Sequence, residues 1–175
     1  MLILVGYAGS GKSSLGKRLQ RALGLRFVDT DKLVEQSEGA SVADIFYYEG
    51  EEYFRRAERR ALESLADVDG NVVVATGGGM PTWSDNMAWM NDHGTTIYIS
   101  RSCEHILSRL TDYGREKRPM FRGKSDEELV DFMHAQMAER EVFYSGAKMR
   151  VECDTMSDDA VVEYIVNKID TNNHE

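Results

Sequence analysis

The sequence predicts an α/β fold, a parallel β-sheet with helices on both faces, and three observations carry that prediction. Strand-like and helix-like segments alternate along the chain, as in repeated β-α-β units. The strongest strands, Leu2-Ile3-Leu4-Val5 and Asn71-Val72-Val73-Val74-Ala75-Thr76 with its apolar centre Val72 to Ala75, carry unbroken apolar runs, as expected of buried strands. The first runs directly into Gly6-Tyr7-Ala8-Gly9-Ser10-Gly11-Lys12-Ser13, which fits the spacing G-x-x-x-x-G-K-[ST] between a strand and a helix. At 175 residues the chain is expected to form a single domain, 1–175.

That motif predicts a phosphate site. Its glycines let the backbone curl with its amides pointing inward, and the helix that follows adds the positive end of its dipole. Lys12 can then reach the terminal phosphates, and the Ser13 hydroxyl can hold Mg²⁺. Leu15, Leu19, Ala22 and Leu23 follow at helical spacing, the apolar face of a helix that Gly24 ends. A plain Gly-rich turn is the competing reading, and the two correct flanks argue against it.

Composition narrows the partners. The net charge of −9 argues against nucleic acid, whose phosphate backbone is bound through clustered Lys and Arg. Small phosphates need only a local positive pocket. Cys103 and Cys153 lie far apart, match no metal spacing and are too few for a disulfide framework, so a reducing, cytoplasmic setting is expected. No apolar segment is long enough for a membrane span, and Met1 leads straight into the first strand, so no targeting segment is expected. A monomer is the expected assembly.

In chain order, Leu25-Arg26-Phe27-Val28 is a second strand that delivers Asp29-Thr30-Asp31 at its carboxyl end, where open α/β sheets place their chemistry. One aspartate there would suit a helix dipole. Two around one residue, after a phosphate loop, suit a metal and a substrate hydroxyl. Ser41 to Asp44 resembles a capping box for a helix with Ile45 and Phe46. After Gly50, Arg55 has Glu51 at i−4 and Glu58 at i+3. On spacing alone this is a solvated charged face, yet Phe54, Glu58, Ala61 and Leu65 share a stripe that puts Glu58 on the apolar side, where a carboxylate needs a partner.

The strand ending at Thr76 opens into Gly77-Gly78-Gly79, which permits close backbone approach to a ligand. Ser84 is the expected cap of a helix through His93 bearing Met87 and Met90, with Gly94 as terminator; Trp83 and Trp89 are read as packing residues. A fourth strand, Thr96–Ile99, precedes a helix with Ile106, Leu107 and Leu110. The segment 112–124 has five basic residues and two acidic ones, a net of +3, and reads as a mobile lid. Ser125 and Glu128 form a capping box for a helix whose stripe is Leu129, Met133, Met137, Arg140 and Tyr144. Arg140 there either snorkels outward or meets an anion, and spacing leaves both readings standing. Met149–Cys153 is an edge-type strand, and Ser157 caps a last helix with Val161, Val162, Ile165 and Ile169 before a tail from Asp170 expected to fray. His93, His105, His134 and His174 show no ligand spacing.

From Leu2 to about Tyr144 the ordered set of these motifs resembles the shikimate kinase family. The phosphate loop, the Asp29/Asp31 pair, Ile45-Phe46, Gly50-Glu51, Phe54-Arg55 with Glu58, Thr76 to Gly79, Arg118-Pro119, and Arg140 with Tyr144 carry the likeness. It implies a three-layer α/β/α fold of the P-loop NTPase class, nucleoside-monophosphate-kinase type. The sheet would have five parallel strands in the order 2-3-1-4-5, with a substrate-binding region at about 31–60 and a lid at about 112–124. The implied reaction is ATP-dependent phosphorylation of the 3-hydroxyl of shikimate.

The resemblance also implies roles. Gly9, Ser10, Gly11, Lys12, Ser13 and Ser14 would hold the phosphates, with Ser13 and Asp29 holding one Mg²⁺. Asp31 would bind the attacking hydroxyl. Arg55 and Arg140 would clamp the substrate carboxylate, with Glu58 holding Arg55 in place. Gly77, Gly78 and Gly79 would approach the ring, and Phe46 and Phe54 would wall it. Arg118 would swing in with the lid, and Arg115 would lie over adenine. Lys12, Asp31 and Arg118 would thus be the catalytic set. Met80-Pro81, Met120-Phe121 and the lack of a proline just after Asp154 depart from the family pattern. The alternatives are another small-molecule kinase, such as a gluconate kinase, and a non-catalytic nucleotide-binding module, for which a carboxylate clamp has no use.

Overall fold

The computed structural model describes residues 1–68, 70–116 and 118–172, so Lys117 of the basic segment, His174 and the end of the tail lie outside the described residues. Five parallel strands, β1 (Leu2–Val5), β2 (Arg26–Asp29), β3 (Val72–Ala75), β4 (Thr95–Ser100) and β5 (Met149–Glu152), lie in the order β2-β3-β1-β4-β5. Leu2 pairs with Val73 on one side and Thr95 on the other, which puts β1 and its loop at the centre.

Side-chain alternation sorts the core into two layers. Ile3, Val5, Val72, Val74 and Tyr98 face a cluster completed by Leu62 of α4 (Gly50–Glu63), Met90 of α5 (Asn86–His93), Ile106 of α6 (Cys103–Arg109), and Leu129 and Met133 of α8 (Asp126–Tyr144). Leu2, Leu4, Val73, Ile97, Ile99 and Val151 face Leu15 and Leu19 of α1 (Lys12–Leu23) and Val161 and Ile165 of α9 (Asp158–Asn172). A third, smaller cluster joins Val34 of α2 (Thr30–Glu38), Ile45 of α3 (Val42–Tyr48), and Phe54, Ala57 and Ala61 of α4. The five-stranded, three-layer architecture is the one the sequence predicts.

Local signals hold at several helix ends. Ser125 and Glu128 make both bonds of a capping box at 3.2 and 2.8 Å, and Ser157 Oγ accepts from the Ala160 amide at 3.2 Å. Ser41 Oγ accepts from the Asp44 amide, but Asp44 returns its bond to the Ser41 hydroxyl rather than the amide, so only half of that box forms. α9 runs through Asn172, past the expected start of the tail at Asp170.

Two local expectations fail. Ala22 is exposed, because the buried stripe of α1 is Leu15, Gly16 and Leu19, and a β-carbon on Gly16 would lie 2.4 Å from the Phe27 ring. Ser84 does not cap α5. Pro81 lies in a short 3₁₀ turn, Met80–Thr82; Trp83 after it is extended, and Ser84 has a φ of 52°, so the chain enters α5 through Asp85.

These layers predict opposite responses on one helix. Leu19→Ala should cost about 2–5 kcal/mol, while Ala22→Lys should stay within about 0.5 kcal/mol of the parent. Urea unfolding of both variants measures this; a large loss from Ala22→Lys would place that position in the core.

Candidate active site

The site gathers at the carboxyl ends of β1, β2 and β3, where a parallel sheet presents its loops. After Val5, the chain turns at Gly6, Gly9 and Gly11 with φ of 140°, 86° and 98°, values that favour glycine. A β-carbon at Gly6 would lie 2.7 Å from the Ile99 carbonyl oxygen, so the loop starts pressed against β4. Lys12 opens α1 and its Nζ donates to the Gly6 and Tyr7 carbonyls at 2.7 and 2.8 Å. Burial pulls its pKa down to about 7. A cavity of about 280 Å³ is bounded by Gly9, Gly11, Lys12, Ser13 and Ser14 on one side and by Asp29, Asp31 and Arg118 on the other. Ser10 does not line it: its Oγ is buried and is the one buried side-chain polar atom without a hydrogen-bond partner among the described residues.

Asp29 caps α2 and accepts from two directions. Its Oδ1 takes the Asp31 amide at 3.1 Å, and its Oδ2 takes the Ser13 hydroxyl at 2.7 Å. Among the described residues there is no cluster of three or more His, Cys, Asp or Glu that could hold a metal. A Mg²⁺ carried mainly by phosphate oxygens needs only one or two protein oxygens, and this hydroxyl–carboxylate pair is a fitting hard-oxygen donor set. Asp31 stands half-buried beyond it. Burial first, then the neighbouring Asp29, push its pKa up to about 6, against the pull of Lys12.

A second cavity, of about 290 Å³, opens between α3, α4, α8 and the 112–124 segment. Phe46 and Phe54 wall it with ring centroids 4.5 Å apart. Arg55 and Arg140 both line it. Glu58, 1% exposed, meets Arg55 at 2.6 Å, and Glu51 reaches the same guanidinium at 3.0 Å. Burial still pushes Glu58 up to about 7, against the pull of Arg55. The apolar stripe therefore carries a carboxylate because its partner is one turn away. Arg140 lies over the Tyr7 ring at 5.7 Å and forms no ion pair among the described residues. It turns into the site rather than outward along the helix.

The Gly77–Gly79 run fits between these groups. A β-carbon at Gly77 would lie 2.6 Å from Glu58 Oε1 and 2.8 Å from Asp31 Oδ1, and one at Gly79 would lie 2.4 Å from the Arg55 guanidinium. The Gly77 amide donates to Thr30 Oγ1 at 3.0 Å, and Tyr144 Oη donates to the Gly78 carbonyl at 2.6 Å. Met80 and Phe121, which depart from the family pattern, are both fully buried, whereas Met120 is 38% exposed and lines the second cavity.

The described residues of the 112–124 segment are partly regular. It holds α7 (Asp112–Glu116) and a 3₁₀ turn, Pro119–Phe121, whose Phe121 stacks on Tyr7. Arg118 lines both cavities, bonded to the Gly114 carbonyl at 2.6 Å, and burial lowers its pKa. Arg115 stands apart from the phosphate cavity, paired with Asp126 and 3.4 Å from the Lys124 carbonyl. Sequence reasoning missed Arg101, a fully buried arginine bonded to the Ser10 carbonyl; its signal was a charged residue directly after an apolar strand, at the strand's carboxyl end.

A family model described as shikimate kinase matches residues 8–170. A shikimate kinase of Parabacteroides distasonis is 38% identical over 168 residues, covering 96% of this chain and 96% of that protein. The crystal structure of the Bacteroides thetaiotaomicron shikimate kinase superposes with a TM-score of 0.90 at 33% identity, covering 97% of each chain. An Acinetobacter baumannii shikimate kinase in complex with shikimate superposes at 0.88 and 28% identity, covering 99% of this chain and 94% of the other.

The raised pKa of Asp31 makes stability depend on pH with a definite sign. Between its ordinary value of 3.8 and about 6, the folded chain holds a proton that the unfolded chain has lost, so the group's contribution falls as pH rises. Asp31→Asn lacks that loss. Relative to the parent it should gain roughly 1–2 kcal/mol between pH 4 and pH 7 in urea unfolding. Parallel curves for the two proteins would mean that Asp31 is fully solvated.

Proposed function

The chain belongs to the shikimate kinase family and phosphorylates shikimate with ATP as donor, and we propose that the phosphoryl group crosses to the substrate's 3-hydroxyl at the seam between the two cavities. One observation carries this reading: Asp31 and Arg118 line both cavities, so the group that would accept from a hydroxyl and the group that would neutralise a phosphoryl meet at their junction. The products are ADP and shikimate 3-phosphate, within aromatic amino acid biosynthesis.

In this reading the Lys12 side chain and the amides of Gly9, Gly11, Lys12, Ser13 and Ser14 hold the β- and γ-phosphates. Ser13 and Asp29 would hold Mg²⁺, which when bound offsets phosphate charge. Asp31 accepts a hydrogen bond from the attacking hydroxyl; with a pKa of about 6 it is ionised at neutral pH yet more basic than an ordinary carboxylate. Because phosphoryl transfer depends mostly on positioning and charge stabilisation, orientation is its larger contribution. Arg55 and Arg140 grip the substrate carboxylate, Phe46 and Phe54 wall the ring, and Gly77 to Gly79 let it approach. Arg118 meets the transferring group, and Arg115 flanks the adenine once released from Asp126. The free, buried Cys103 and Cys153 and the need for ATP support a cytoplasmic location. No helix among the described residues is long and apolar enough to cross a membrane.

The carboxylate clamp is tested by calorimetry with shikimate and its carboxamide. Arg55→Ala or Arg140→Ala leaves a charge without its partner, a loss of roughly 2–5 kcal/mol, or more than about tenfold in affinity. ATP affinity should stay within about twofold, and Arg140→Lys should rescue only in part, since an ammonium lacks the planar fork. Equal binding of acid and amide by the parent enzyme would remove the clamp.

Asp31 is tested by separating turnover from binding. Asp31→Asn should lower kcat by about a hundredfold or more with ATP affinity nearly unchanged. Equal losses in both would assign Asp31 to the metal and exchange its role with Asp29.

A further inference from the structure

Arg101 follows β4 directly, and its side chain is completely buried beneath the phosphate loop. Its Nε donates to the Ser10 carbonyl at 2.9 Å. Nη1 donates to the Cys153 carbonyl and to His105 Nε2, both at 3.1 Å, and Nη2 to Asp158 at 3.0 Å. A guanidinium carries only donors, so His105 accepts through Nε2. Asp158, in the first turn of α9, also takes both of its oxygens to Arg109 at 2.9 Å, which anchors the buried charge to the end of α6.

One of these bonds ends on the loop itself. Across a trans peptide, the carbonyl of one residue and the amide of the next point in opposite directions. With the Ser10 carbonyl held toward Arg101, the Gly11 amide is turned the other way, away from Arg101, and Gly11 itself lines the phosphate cavity. Gly11 sits at a φ of 98° with open space where a β-carbon would be, and its carbonyl accepts from the Leu15 amide at 2.9 Å, while the Ser10 amide donates to the Tyr7 carbonyl at 3.2 Å. The Ser10 carbonyl between them is held from behind, by Arg101.

We infer that Arg101 is a positioning residue: by holding the Ser10 carbonyl it keeps the Gly11 amide aimed at the nucleotide phosphates, and so sets nucleotide affinity without touching nucleotide. The inference rests on the reading of residues 6–13 as the ATP phosphate loop.

Calorimetric titration of the full chain with MgADP and, separately, with shikimate tests it. Arg101→Met should weaken MgADP by about tenfold or more while shikimate changes by less than about twofold. Arg101→Lys should restore stability better than MgADP affinity, because an ammonium with three donors on one nitrogen cannot reproduce the four spread bonds of the guanidinium. A purely structural role would reduce both ligands alike, in step with the folded fraction, and that result overturns the inference. So does unchanged MgADP affinity in a folded variant. Should Arg101→Met fail to fold, Asp158→Asn decides: selective weakening of MgADP supports the inference, and unchanged affinity overturns it. Lys12→Ala separates the two levels. If it weakens MgADP while the Arg101 variants do not, the positioning role alone falls; if Lys12→Ala also leaves MgADP unaffected, the phosphate-loop reading falls with it.

Discussion

At the end of β3 a β-carbon at any of three successive positions would lie within 3 Å of another atom, and the two halves of the site meet through them. A β-carbon at Gly78 would lie 2.9 Å from the Ala8 amide nitrogen, which means that the loop after β3 and the phosphate loop touch backbone to backbone. On either side, Gly77 lies between Asp31 and Glu58 and Gly79 lies against Arg55. The loop after β1, the Asp31 carboxylate and the Arg55 guanidinium are therefore all located against a single short segment. That segment is fixed in turn by its strand, which lies between two others, and by the bonds from Gly77 to Thr30 and from Tyr144 to Gly78. Transfer between two bound molecules demands placement within a fraction of an ångström, and a backbone held from three sides supplies it.

The same closeness forces charge into poor solvent. Burial lowers the pKa of Lys12 and Arg118 and raises those of Asp31 and Glu58, so each group is pressed away from the ionised state that binding needs. Such a site destabilises the free protein, and its anionic ligands offset part of that strain when they bind. Lys12, Arg55, Arg118 and Arg140 line the two cavities against Asp29, Asp31 and Glu58, leaving a local positive excess inside a chain of net charge −9. The compromise suits small anions.

Much of this was legible because the governing rules are local. The phosphate loop has fixed spacing, β1 and β3 are unbroken apolar runs, and α8 announces itself through a capping box and a stripe of three- and four-residue steps. Arg55 and Glu58 were legible as a pair, but the direction of Arg140 was not, since a helical stripe does not say whether an arginine turns in or out; its place over Tyr7 depends on a residue 133 positions earlier. Ala22 failed because the stripe of α1 closes on Gly16, whose burial is set by Phe27 from another element. Ser84 failed because a 3₁₀ turn intervened. Arg101 was invisible for the same kind of reason: its partners lie on the phosphate loop, α6, the end of β5 and α9, and no window of sequence contains them all.

Tyr7 shows how an unspecified position of a motif can organise its surroundings. It is fully buried within the phosphate loop and its hydroxyl donates to Gln136 of α8 at 2.7 Å. Its ring stacks with Phe121 at 6.5 Å, and Arg140 lies over it. Phe121, also fully buried, carries the Arg118 guanidinium 5.9 Å above its own ring. Arg118 and Arg140, which line the second cavity together, are thus both referred through aromatic rings to the loop after β1. Phe121 is seated in the core three residues beyond Arg118, so its contact with Tyr7 ties the 112–124 segment to the loop after β1 at that point.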